Sequence, residues 1–496
     1  MADNLSTIGK KVKALANPLR DEGIGSGAYL EQITYLLFLK MVDEYSKPPY
    51  NKQSNIPSDC SWEELKKLSG DLLDEKYKYI LTTLGKKDGI LKEIYADADN
   101  KIKKPALLKK VISMIDSENW VSMAADVKGA IYEELLKEYA EDTKSGAGQY
   151  FTPRALINTM VKCLRPLPNK TICDPACGTG GFLLSAYEFL SNPVNYQLDR
   201  ESKQFLKNKT FSGVELVQET YRLCLMNLFL HGIGDINSNE VPIERRDSLL
   251  TKPNDLYDYV LANPPFGRKS SLTFTNEEGE EESEDLVYNR SDFWTTTSNK
   301  QLNFIQHIYS ILKVTGRAAV VVPDNVLFED GAGDIVRRNL LEKTNLHTIL
   351  RLPTGIFYKP GVKANVIFFD NKLPSDKWET REVWVYDFRT NVHFTLKQNP
   401  MTEASLNDFV ECYHAENINE RTETYNKDTN ENGRWRKYTI KEIKENGCKL
   451  DLKWMQEDDG SEDLSLGELL EKIKEKSENI SNAVAELEKL IGKVEE

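Results

Sequence analysis

An α/β domain on a mostly parallel sheet, with an all-helical domain before it and a helical tail after it, is the fold this sequence predicts. Three observations carry that prediction. Apolar residues recur at three- and four-residue spacing from about Ile8 to Tyr139. Beyond that stretch, strand-like runs alternate with helical ones. The C-terminal end returns to a helical pattern with a seven-residue period. A chain of 496 residues has room for two or three domains, since domains usually run to roughly 100–200 residues. We place the boundaries at 1–143, 144–425 and 426–496.

The N-terminal pattern is clearest in "YLEQITYLLFLKMVDEY" and "ALLKKVISMI". Small and turn-forming residues in "DTKSGAGQYFTPR" then mark a junction. The strands of the middle domain are "TICDPA", "TFSGVEL", "DYVLANPP", "RAAVVVPD", "LHTILRLP" and "KANVIFFD", with helices such as "QETYRLCLMNLFLHG" and "NFIQHIYSILK" between several of them. One interruption, Thr275 to Asp285, is strongly acidic and has no aliphatic side chain, which predicts a solvated mobile loop. In the tail, Leu466, Leu470, Ile473, Ser477, Ile480, Val484, Leu487, Ile491 and Val494 alternate spacings of four and three. Such a stripe describes a coiled-coil seam, which either a partner helix or the chain's own domain can cover.

Composition narrows the function classes. The formal net charge is −13, so duplex DNA repels this chain unless basic residues cluster or a partner supplies them. No apolar run approaches the ~18–20 residues a membrane span needs, and the polar start "MADNLSTIGKK" is no signal peptide, so a cytoplasmic location is expected. Seven cysteines at scattered spacing fit a reducing compartment. Cys173 and Cys177 lack a second pair or a nearby His to complete a zinc set, and read as small core residues; no metal site is expected.

Chemistry concentrates in three places. "TICDPACGTGGFLLSAY" is a short strand, then Asp174, then a turn with Gly178, Thr179, Gly180 and Gly181, then an apolar helix. Glycines there let backbone approach a ligand and present amides at a helix N-terminus. With no Gly-Lys-Ser/Thr following, it is not a phosphate-binding P-loop. Glu215 closes the next strand, where a Rossmann-like sheet reaches ribose hydroxyls. Asp247 follows a further strand and is placed to meet an adenine edge.

The third place is "NPPF", Asn263, Pro264, Pro265 and Phe266. With the Gly-rich turn, this tetrad resembles the S-adenosylmethionine-binding amino-methyltransferases, in which it follows the fourth strand. The resemblance implies that the Asn263 oxygen and Pro264 carbonyl accept both hydrogens of a planar amino group and restore lone-pair density on its nitrogen. An Asn accepts without the cost of burying a charge. Two prolines fix the carbonyl direction, and Phe266 offers a stacking face for a flipped base. "GQYFTPRALI" comes before the Gly-rich turn, an order similar to the group whose aromatic segment contacts the cofactor. Gln149, Tyr150, Phe151, Thr152 and Pro153 are cofactor candidates on that ground.

A narrower resemblance covers about Leu36 to Phe369. "YLLFLKMVDEY", "GQYFTPR", "DPACGTGGFL", "NLFLHGI", "LANPPFG", "GRAAVVVPDNVLF" and "LPTGIFYKPGVKANVIFF" resemble, in order, the signatures of the modification subunit of type I restriction-modification systems. The acidic insertion is not part of that pattern. The resemblance implies a Rossmann-like methyltransferase sheet and transfer from S-adenosylmethionine to N6 of adenine in DNA. It also implies a specificity subunit that reads the target and bundles with two modification subunits through helices such as the tail, and a restriction (translocase/nuclease) subunit as a further partner. Such an arrangement reconciles the acidic charge with a DNA substrate. The tetrad alone leaves open cytosine N4 and a protein glutamine amide, and a non-catalytic assembly subunit is the alternative from another class.

Overall fold

The computed structural model describes residues 16–122, 131–136, 152–234, 240–266, 271–275, 281–285, 287–357, 361–396 and 398–455, with residues 470, 474 and 477 of the tail. The helical expectation for the N-terminal part holds: α1 (Ser26–Ser46), α2 (Trp62–Lys67), α3 (Gly70–Leu84), α4 (Ile90–Tyr95) and α5 (Pro105–Asp116). Helix α1 is apolar nearly all round and buries Tyr29 to Val42 almost without interruption, as a central helix must. Helices α3 and α5 are one-sided and bury a stripe at three- and four-residue spacing.

The second part runs α6 (Arg154–Leu164), β1 (Ile172–Asp174), α7 (Gly181–Ser191), α8 (Arg200–Asn208), β2 (Phe211–Glu215), α9 (Gln218–Leu230), β3 (Ile243–Arg245) and β4 (Tyr257–Ala262). After the hairpin β5 (Ser271–Thr275) and β6 (Glu281–Asp285) it continues as α10 (Lys300–Ile311), β7 (Leu312–Pro323), α11 (Asp324–Phe328), α12 (Ala332–Lys343), β8 (Thr344–Arg351), β9 (Ala364–Asn371), β10 (Glu382–Asp387), α13 (Asn407–Tyr413), β11 (Trp435–Thr439) and α14 (Ile440–Glu445). Nine strands form one sheet in the order β11-β10-β8-β9-β7-β4-β1-β2-β3. The half β7-β4-β1-β2-β3 is parallel throughout. Its central strands are continuous apolar runs, Val260–Ala262 and Ala318–Val322, because helices cover both faces.

Strand order reverses at β1, whose neighbours are β4 and β2. In open α/β sheets the crevice beyond such a reversal is where ligands bind. The C-terminal ends of β1, β2 and β4 carry Asp174, Glu215 and, one residue on, Asn263.

Helix α9 joins the two parts. Every residue from Thr220 to Leu230 is buried. The Arg222 guanidinium pairs with Glu31 and donates to the Ala96 carbonyl at 2.6 Å, and the Tyr221 hydroxyl donates to Glu93 at 2.8 Å. Phe229 packs on Phe38 with ring centroids 5.6 Å apart.

Two expectations are corrected. The acidic stretch is not simply a loop: Ser271–Thr275 pairs antiparallel with Glu281–Asp285, because backbone pairing with the β-prone "SLTFT" run needs no particular side chains. The segment 426–496 does not begin as a helical tail, since β11 joins the sheet antiparallel to β10 and the large unit runs to Leu452. The sheet is mostly parallel, as expected, with β9 running antiparallel between β7 and β8. The seam from Leu466 to Val494 lies outside the described residues apart from Leu470 and Ser477, which are helical and exposed. Among the described residues no helix is long and apolar enough to cross a membrane.

Candidate active site

The turn after β1 is built from backbone. Cys177 N donates to the Val214 carbonyl at 3.0 Å, tying the turn to β2, and Gly180 N donates to the Cys177 carbonyl at 2.8 Å. Gly178 and Gly180 have φ of 54° and 85°, a region that favours glycine. A Cβ on Gly180 would lie 3.0 Å from the Cys224 sulfur, and one on Gly181 would lie 3.0 Å from Ile157 Cδ1. Close packing of α7 on α6 and α9 thus leaves little room for a side chain at these two positions. The Asn227 amide donates to the Thr179 carbonyl at 2.9 Å, and Arg154 donates to the Gly181 carbonyl at 3.2 Å. Cys173 and Cys177 are buried, as expected of core residues.

Two acids flank this turn. Asp174 is 1% exposed and accepts from Ala176 N at 3.0 Å. Burial, opposed by that hydrogen bond and reinforced by the nearby Glu215, pushes its carboxyl up to about 8. Glu215 accepts from Gly178 N at 3.1 Å with one oxygen and from Val217 N at 2.8 Å with the other. Burial raises its pKa as well, against hydrogen bonds that lower it. Beside it Leu216 is 63% exposed, an apolar side chain left open at the rim of the crevice. Asp247 accepts from Leu249 N and from the Tyr288 hydroxyl, each at 2.8 Å. Leu249 and Tyr288 form a small buried cluster with Phe304, packed against Ala176.

Across the crevice β4 ends at Ala262 and the tetrad begins. The Asn263 amide nitrogen donates to the Thr152 hydroxyl at 2.8 Å. Its Oδ1 is buried and has no hydrogen-bond partner. A buried amide oxygen without a donor costs stability, a cost that an incoming N–H would remove. The Pro264 carbonyl accepts from the Gln301 side chain at 3.3 Å. Phe266 meets Phe357 edge-on, with centroids 5.7 Å apart and planes at 87°.

Most of the expected residues therefore converge. Asp174, Gly178, Thr179, Gly180 and Gly181 lie at one turn, Glu215 reaches it from the end of β2, and Thr152 brings the segment before α6 to Asn263 rather than to the glycines. Pro153 is the N-cap of α6. Gln149, Tyr150 and Phe151 lie outside the described residues. Sequence reasoning missed Asn227, Tyr288 and Gln301. Asn227 and Gln301 had a signal, a side-chain amide inside an apolar helical run, since buried amides need a reason.

Residues 123–463 match the family model described as N-6 DNA methylase, and residues 8–115 match the HsdM N-terminal domain. The chain belongs to the N-6 DNA methylases. The methylase is 37% identical to the StySPI methylase subunit of Salmonella potsdam, a type I restriction enzyme subunit, over 94% of this chain and 91% of that one. It is 36% identical to the EcoKI methylase subunit of Escherichia coli K12, over 98% and 95%. Among solved structures, the EcoKI M protein matches with 33% identity and a TM-score of 0.54, covering 92% of this chain and 90% of that chain. A chain solved in work on complex assembly and conformational transition of the type I R-M system matches over 98% of both chains, with a TM-score of 0.73 and 25% identity. The chain is a methylase subunit of the type I restriction class, and its sheet is a methyltransferase sheet.

Proposed function

We propose that this methylase transfers a methyl group from S-adenosylmethionine to the N6 amino group of adenine in DNA, at targets chosen by a separate specificity subunit. The observation that carries the reading is the Asn263 Oδ1, buried without a donor at the C-terminal edge of β4. An exocyclic amino group brings the N–H that this oxygen lacks. Thr152 accepts from the amide nitrogen, which leaves the oxygen to the target.

The residues present suit S-adenosylmethionine. Glu215 has accepted one backbone N–H on each oxygen and retains lone pairs for ribose hydroxyls. Leu216 leaves an apolar surface beside it, and the left-handed Gly178 and Gly180 put no side chain at two positions of the turn. Asp247 holds a further acceptor position near the Leu249 and Tyr288 cluster. When bound, S-adenosylmethionine supplies an electrophilic sulfonium methyl. The chain's own part is to orient the amino group, raise its lone-pair density through Asn263 and Pro264, and stack the base on Phe266. The nitrogen gives up one of its hydrogens as a proton to water.

Net charge −13 disfavours autonomous DNA binding, which supports a specificity subunit as reader. We assign the tail after Leu452 to that partner, with two methylase subunits per specificity subunit, a restriction subunit as an additional partner and a cytoplasmic location. In domain terms, residues 1–143 are the helical domain and the methyltransferase domain starts near 144.

The test combines this chain, its cognate specificity subunit, methyl-labelled S-adenosylmethionine and unmethylated DNA carrying the recognition sequence, followed by digestion to nucleosides. Label is expected in N6-methyldeoxyadenosine. Label in methylcytosine or in protein overturns the adenine assignment.

A further inference from the structure

We infer that Gln301 is a positioning residue for methyl transfer, holding the Pro264 and Pro265 carbonyls so that Pro264 keeps one lone pair free for the target amino group. The inference rests on the reading of the Asn-Pro-Pro tetrad as the acceptor.

The argument begins with what the prolines remove. A Pro-Pro pair has no backbone N–H, so its carbonyls sit in a loop with few local donors. Gln301 supplies them: its amide nitrogen lies 3.3 Å from the Pro264 carbonyl oxygen and in close contact with that of Pro265. The orientation of this amide is not arbitrary, because two carbonyl oxygens can face only its nitrogen. A carbonyl oxygen has two lone pairs, and one bond from Gln301 leaves the second available.

Gln301 is itself held in place. It sits in the first turn of α10, where the Asn299 cap accepts from Gln301 N at 3.0 Å and from Leu302 N at 3.3 Å. The side chain is 3% exposed. Two other buried amides on α10 make the contrast. Gln306 exchanges hydrogen bonds with Thr295 through both its oxygen and its nitrogen, and Asn303 donates to the Thr297 carbonyl and accepts from Gln306. Both are satisfied and only hold a loop. Gln301 alone of the three has a buried oxygen without a partner.

The test uses the complex with the specificity subunit, S-adenosylmethionine and DNA carrying its recognition sequence. Gln301→Met keeps volume and removes the donor; kcat is expected to fall at least about tenfold while cofactor affinity stays within about twofold. Gln301→Glu can donate only when protonated, so its kcat relative to wild type should recover as pH is lowered. A kcat for Gln301→Met within about twofold of wild type, or a Gln301→Glu pH profile parallel to wild type, overturns the inference. If the methionine variant does not fold, the glutamate profile decides alone. Asn263→Ala in parallel separates the two failures: if it transfers normally the acceptor reading falls, and if it is inactive while Gln301→Met is normal only the role of Gln301 falls.

Discussion

The Gly-rich turn after β1 and the Asn-Pro-Pro loop after β4 end neighbouring parallel strands, yet one is braced by a carboxylate on backbone amides and the other by side-chain amides on an acceptor loop. On the β1 side Glu215 holds the Gly178 and Val217 amides and Asn227 holds the Thr179 carbonyl, with the Asn227 Oδ1 left buried and unpartnered. On the β4 side Asn263 and Gln301 each bury an oxygen with no partner. On the proposed reading, a cofactor that arrives in every turnover is met by a preformed cradle. On the same reading, a base that must leave its stack is met by acceptors whose full benefit comes only when its amino group is in place, which favours the transition state over the empty site.

The largest break in this comparison is expected from Asn263→Ala. Transfer should fall by about 10²–10³ in kcat, with cofactor affinity nearly unchanged, as read by single-turnover kinetics and calorimetric titration of S-adenosylmethionine. An equal loss of both would mean the two loops act as one unit. Glu215→Ala should do the reverse, weakening S-adenosylmethionine binding by about 10–100-fold, since a charged acceptor and the brace of the turn go together.

The smallest effect sharpens the comparison on the cofactor side. The Asp174 carboxyl titrates near 8 when folded, against an ordinary value of 3.8, so between those values the folded chain holds a proton that the unfolded chain has lost. Stability contributed by the protonated form is present at low pH and is lost as pH rises through this window. Asp174→Asn should therefore raise the thermal midpoint by about 2–4 °C, with a gain that grows from pH 5 towards 8 and levels off above it. A gain that shrinks with rising pH would contradict the burial of a protonated acid at this position.

Much of this was readable in advance because it is local. Asp174, the three glycines and Asn263 sit at strand ends whose apolar runs are plain in the sequence, and the six strand-like runs of the middle domain all became strands. The acidic stretch misled, because charge was visible and the pairing of Glu281–Asp285 with Ser271–Thr275 was not. The position of β11 was likewise hidden, since an edge strand of five residues that pairs with β10 has no signal of its own beyond its partner.

By itself the sequence determined the identity of the elements and the chemistry of the strand ends, since strand and helix periods, glycine turns and a Pro-Pro stop act over a few residues. Tertiary structure alone decided that β1 lies between β4 and β2, which brings Asp174 and Asn263 to one crevice. It also set Thr152 and Gln301 against the tetrad from 111 and 36–37 residues away in the chain. The physical reason is that a donor for a buried carbonyl or amide is chosen by what the packed sheet leaves within about 3 Å, and no local spacing rule encodes that distance.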